Sequence, residues 1–167
     1  MTYNPNPGDI GLVKMAGSGG YAIRALQWLN GDGFEDFEHA FDYVGNSKIV
    51  EAMPGGARLA DLSRYDGLKI LWLRCPAKYG AAVAQEAINM IGVPYSWADY
   101  GALALHRFGV PTRRLKHYMA SRKSAICSQL VDRAAMRGGW HIFADNRDEG
   151  DVTPGDLTRE ALKQHAQ

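Results

Sequence analysis

Cysteine is scarce in this sequence: Cys75 and Cys127 are the only two in 167 residues. Two thiols cannot build the disulfide framework that staples small secreted domains, so both are read as free. Long apolar runs are missing as well, and no stretch approaches the roughly 18 apolar residues that mark a membrane-spanning helix. Charge of one sign is also lacking. Nineteen basic against eighteen acidic side chains leave a formal +1, too little for a global field that would draw nucleic acid or a membrane surface. The start, Met1-Thr2-Tyr3-Asn4-Pro5-Asn6-Pro7, has no cationic segment followed by an apolar one. A secretory signal is therefore not expected, and the chain is expected in the cytoplasm as synthesised.

Chemical motifs are thin too. There is no C-x-x-C pair and no H-E-x-x-H, which leaves no spacing suited to a metal, and no metal or cofactor is expected. Gly17, Gly19 and Gly20 lack the lysine of a phosphate loop. What is present is ordinary globular composition, 46% hydrophobic and 22% charged, in a length that suits one domain over 1–167.

Gly8 to Val13 reads as a turn feeding a short strand. Ser18 reads as the cap of a helix carrying Tyr21, Ala25, Trp28 and Leu29, stopped by Asn30-Gly31. An acidic loop from Asp32 leads into His39. Strands are expected at Glu38 to Val44 and Lys48 to Ala52, joined by Gly45-Asn46-Ser47, and a third at Lys69 to Arg74. A helix is expected over Ala81 to Ile91 from the stripe Val83, Ala84, Ala87, Ile88 and Ile91. Ser124 reads as the cap of another, with Ile126, Leu130, Val131, Ala134 and Ala135 inward and Gly138-Gly139 as its stop. The sum is an α+β protein with an antiparallel sheet packed against helices.

Cys127 then lies in the first turn of a helix, just after Arg122 and Lys123. A helix N-terminus and nearby cations both favour a thiolate, and the Cys127 amide is placed to join an oxyanion hole. The other reading is a small buried hydrophobe, as for most free cysteines. Cys75, at the end of Leu71-Trp72-Leu73-Arg74, is read as packing. Among the histidines His39 has the best geometry. If Gly45-Asn46-Ser47 is a three-residue loop, Phe41 opposes Glu51, and His39 shares a sheet face with Glu51 as its diagonal neighbour, roughly 7–8 Å away. A two-residue loop would put them on opposite faces. Glu51 would fix the imidazole tautomer, while Asp42 faces the other way. The basic stretch Arg113, Arg114, Lys116, Arg122 and Lys123 is either a solvated face or a collar for an anionic group on the substrate.

Six segments in this order carry a resemblance: Pro7-Gly8-Asp9-Ile10, His39-Ala40-Phe41-Asp42-Tyr43-Val44-Gly45, Ile49-Val50-Glu51-Ala52, Gly92-Val93-Pro94-Tyr95, Cys127-Ser128-Gln129-Leu130-Val131 and Val152-Thr153-Pro154-Gly155-Asp156-Leu157. Together they resemble the circularly permuted branch of the NlpC/P60 papain-like hydrolases, the YiiX-like and LRAT-like proteins. The resemblance implies a permuted papain-like core with Cys127 as nucleophile, His39 as base, Glu51 as third member and Tyr95 as an oxyanion or pocket residue. It implies a peptide or acyl substrate: an amide, with cell-wall peptide tried first, or a lipid ester or thioester met by Trp97, Tyr100 and Phe108. If the substrate is cell wall, release by lysis or carriage in a phage particle replaces secretion. Phe41 and Asp42 stand where the family has small aliphatic residues, a departure that bears on substrate choice. A non-catalytic module binding nucleic acid through Arg113 to Lys123 is the remaining alternative, and it leaves His39, Glu51 and Cys127 unexplained.

Overall fold

The computed structural model describes residues 3–14, 37, 39–53, 55–94, 127–145, 147 and 152–166. Five strands, β1 (Ile10–Val13), β2 (His39–Gly45), β3 (Lys48–Met53), β4 (Gly56–Asp61) and β5 (Ile70–Leu73), form one antiparallel sheet in the order β4-β3-β2-β1-β5. A 3₁₀ turn, Leu62–Tyr65, follows β4. Three helices are described: α1 (Ala77–Asn89), α2 (Cys127–Arg137) and α3 (Pro154–His165). The α+β class and the antiparallel sheet against helices are as expected, while the helix expected over Tyr21 to Leu29 lies outside the described residues.

Alternation gives the sheet two different faces. Ile10, Leu12, Ala40, Val50, Ala52, Leu71 and Leu73 join α1, α2 and α3 in the main core. The opposite face carries Val13, Phe41, Tyr43, Ile49 and Trp72, closed over by Tyr65. It also carries His39 and Glu51.

The β2–β3 register is the one expected, Phe41 opposite Glu51, but it arises differently. Gly45 pairs with Lys48, which makes the loop two residues, Asn46-Ser47, both in the left-handed region with φ 53° and 56°. Such a turn matches the strand twist. Alone it would have moved Glu51 to the far face. The register shifts between Tyr43 and Gly45, leaving Val44 as an extra, bulged residue that restores the alignment.

β4 was not anticipated, because as an edge strand it buries little: Leu59 is 48% exposed and no alternating apolar pattern marks it. Helix α1 begins four residues before the expected Ala81, directly after Pro76, and Ile88 and Ile91 of its expected inner stripe are exposed. Helix α3 was also missed. Its signals are local: Thr153 accepts from the Asp156 amide at 3.1 Å, the Asp156 carboxylate accepts from the Thr153 amide at 3.0 Å, and a proline opens the helix. Near its end Gln164 exchanges two hydrogen bonds with the Arg74 backbone, at 2.9 and 3.2 Å, covering the end of edge strand β5.

Gly11 is fixed by close approach. A Cβ there would lie 2.3 Å from the ring of Phe41, which is fully buried, stacked on Tyr65 with centroids 5.0 Å apart and set edge-on to Trp72. Because that ring has nowhere to retreat, Gly11→Ala is expected to destabilise the fold by about 1–3 kcal/mol. Urea unfolding checks this; an unchanged midpoint would show that the aromatic face can repack.

Candidate active site

Glu51 is the hub of the polar cluster. It sits in mid-β3 with no exposed surface, where an unpaired carboxylate would be costly. Four side chains reach it. His39 Nε2 lies 3.0 Å from Oε2, and the Tyr65 hydroxyl donates to the same oxygen. Arg58 donates to Oε1 from Nε at 3.0 Å and Nη2 at 2.8 Å, and Arg64 Nε stands 3.6 Å from that oxygen. Arg58 is the direct cross-strand partner of Glu51, which is why its side chain shares the face.

Burial raises the Glu51 carboxyl, but hydrogen bonds from His39 and Tyr65, the His39 charge and the Arg58 hydrogen bond outweigh it and hold it down at about 2. Glu51 is thus a carboxylate that only accepts. His39 Nε2 must then carry the proton, and the remaining ring nitrogen, Nδ1, is left for the other partner of His39.

That partner is Cys127. His39 lies at the start of β2 and Cys127 is the first described residue of α2, and the two buried side chains share a hydrogen bond. Burial disfavours the imidazolium most, yet the Cys127 and Glu51 hydrogen bonds and charges more than offset it and lift His39 to about 9. A thiol that shares a hydrogen bond with an imidazole of raised proton affinity is the arrangement that favours a thiolate–imidazolium pair. No family model matches this chain, and no curated protein does either.

Of the residues named from sequence, Cys127, His39 and Glu51 come together. Tyr95, Arg122 and Lys123 lie outside the described residues, as do Ser124, Arg113 to Lys116, Trp97, Tyr100 and Phe108. Asp42 projects to the opposite, helix-covered face, as expected. Cys75 is half-buried and free of any disulfide, and burial, with the charge of Asp9, pushes its thiol up to about 12, the reverse of an activated cysteine. Tyr65, Arg58 and Arg64 were missed. Only the β3–β4 register places Arg58 on Glu51, and no local motif ties a tyrosine in a 3₁₀ turn to a carboxylate fourteen positions earlier. Among the described residues no group of three or more His, Cys, Asp or Glu is arranged to hold a metal, and no helix is long and apolar enough to cross a membrane.

Proposed function

We propose that the protein is a cysteine hydrolase acting on an amide through an acyl-enzyme, on a permuted papain-like core of the NlpC/P60 kind. The observation that carries this reading is the buried chain of hydrogen bonds from Cys127 through His39 to the ionised Glu51.

The Cys127 thiolate attacks the carbonyl carbon, and the carbonyl electron pair moves onto oxygen. The Cys127 amide, in the first described turn of α2, is the donor assigned to that oxyanion. Collapse of the adduct breaks the C–N bond, and the proton on His39 Nδ1 goes to the departing amine, leaving a thioester. Neutral His39 then takes a proton from water as its oxygen attacks the thioester carbon. The acid is released, and thiolate and imidazolium are restored. Throughout, Glu51 keeps the ring oriented and its Nε2 protonated. Cell-wall peptide is the first substrate class to test.

The test is alkylation of Cys127 by iodoacetamide between about pH 5 and 9 in a Cys75→Ala background. The expected rate is already high near the acid end and collapses in His39→Ala. Cys127→Ala is expected to abolish hydrolysis. A rate that climbs only around the free-thiol value of roughly 8.5, indifferent to His39, assigns Cys127 to packing and overturns the reading.

A further inference from the structure

The four hydrogen bonds accepted by Glu51 fill the roughly four lone-pair sites of a carboxylate. His39 and Tyr65 share Oε2, and Arg58 takes Oε1 with two of its nitrogens, so neither oxygen is free to turn toward another partner. Arg58 and Arg64 are about half exposed. Their charges therefore reach the site from solvent, across Glu51 from the imidazole. Tyr65 is itself fixed, stacked on Phe41, with its ring centroid 6.0 Å from that of His39.

We infer that Arg58 and Tyr65 are positioning residues of the Cys127–His39 pair: they clamp Glu51 as an ionised acceptor of fixed orientation, and so set both the tautomer of His39 and the strength with which Glu51 holds its proton. This rests on the hydrolase reading and deepens it. Guanidinium charge and a phenol hydrogen bond draw electron density from the carboxylate, so both moderate its pull on the imidazolium. Without them Glu51 would hold the His39 proton more tightly, and a proton held too tightly is slow to reach a leaving amine. Arg58 supplies charge and a two-point grip, and Tyr65 supplies a neutral donor on the shared oxygen. Their contributions are separable by substitution.

The experiment follows the His39 ring nitrogens by NMR against pH in the full chain, comparing wild type with Arg58→Gln, Arg58→Lys, Tyr65→Phe and Cys127→Ser. In wild type the neutral ring is expected as the Nε2–H form. Arg58→Gln and Tyr65→Phe are each expected to move the imidazolium midpoint upward by about half a unit or more, and Arg58→Lys to restore it. Thermal unfolding of the same samples reports any loss of fold. A midpoint unmoved or lowered in both Arg58→Gln and Tyr65→Phe overturns the inference, because a merely structural role costs stability without raising the midpoint. Failure of the underlying reading looks different: a wild-type His39 titration unaltered by Cys127→Ser breaks the pair itself.

Discussion

Replacing Glu51 with Gln is expected to slow acylation on the order of 10³-fold while leaving the backbone in place. The reason is the asymmetry of its partners. A carboxylate accepts on both oxygens, but an amide must present its NH₂ to one side. Arg58 and Arg64 offer only N–H groups to Oε1, so they claim the amide oxygen. The NH₂ then faces His39 Nε2 and the Tyr65 hydroxyl. Nε2 becomes an acceptor, its proton moves to Nδ1, and the nitrogen beside Cys127 has no lone pair left for the thiol proton. Glu51→Gln also removes the counter-charge of a fully buried imidazolium. That is expected to cost about 3 kcal/mol, at the low end for a broken buried pair because the half-exposed arginines recover water.

The pH dependence has a definite sign. Glu51 is lowered from 4.5 to about 2, so its contribution is present above 4.5 and is lost as pH falls toward 2. His39 is raised from 6.5 to about 9, so its contribution is complete below 6.5 and is lost as pH rises through about 9. Together they stabilise most fully between about 4.5 and 6.5. The Glu51→Gln profile should be flatter at both ends. Urea unfolding across pH and Cys127 alkylation rates measure the two effects. A variant that keeps the wild-type rate would remove Glu51 from its orienting role.

The site is built outward from the aromatic part of its sheet face. Gly11 leaves room for Phe41, Phe41 stacks on Tyr65, and Tyr65 donates to Glu51, which holds His39 against Cys127. Rigid aromatic packing thus sets the position of the carboxylate. For this reason Gly11→Ala is expected to disturb His39 as well as stability.

Much of this was legible because strands alternate. Once His39 to Val44 and Lys48 to Ala52 were read as paired strands, the common face of His39 and Glu51 depended on register alone. The register was right for an incomplete reason: the two-residue turn and the Val44 bulge cancel, and nothing in Gly45-Asn46-Ser47 distinguishes that from a three-residue loop. Helix α3 has a readable start in Thr153-Pro154 and the Asp156 carboxylate, but its inner stripe, Leu157, Thr158 and Ala161, is short and partly polar, so periodicity marks it weakly. Arg58 and Tyr65 had no such signal. Their roles exist only through tertiary pairing with Glu51.

Asp42 makes the last prediction, and it runs against the usual effect of altering a buried residue. It lies on the helix-covered face of β2, fully buried, and among the described residues neither carboxyl oxygen has a hydrogen-bond partner. Asp9, almost as buried, is the contrast: it accepts from the Tyr3 hydroxyl, the Asn6 amide and the Cys75 amide at 2.7, 2.7 and 2.8 Å. Burial alone pushes the Asp42 carboxyl well above the usual range, so the folded protein keeps it protonated where the unfolded chain has released the proton. The folded state then binds more protons, and stability falls with rising pH. The loss is about 1.4 kcal/mol per pH unit over the interval in which only the unfolded chain is ionised. Asn has nearly the same shape and is likewise a neutral, unsatisfied polar group there, but cannot ionise. Asp42→Asn is therefore expected to match wild type in acid, where both are neutral, and to exceed it by a margin that widens toward neutral pH. Urea unfolding midpoints at several pH values measure that margin. A constant difference across pH would mean that Asp42 is ionised and held by a partner in solution, and the helix-facing side of the sheet would then contain a buried charge pair.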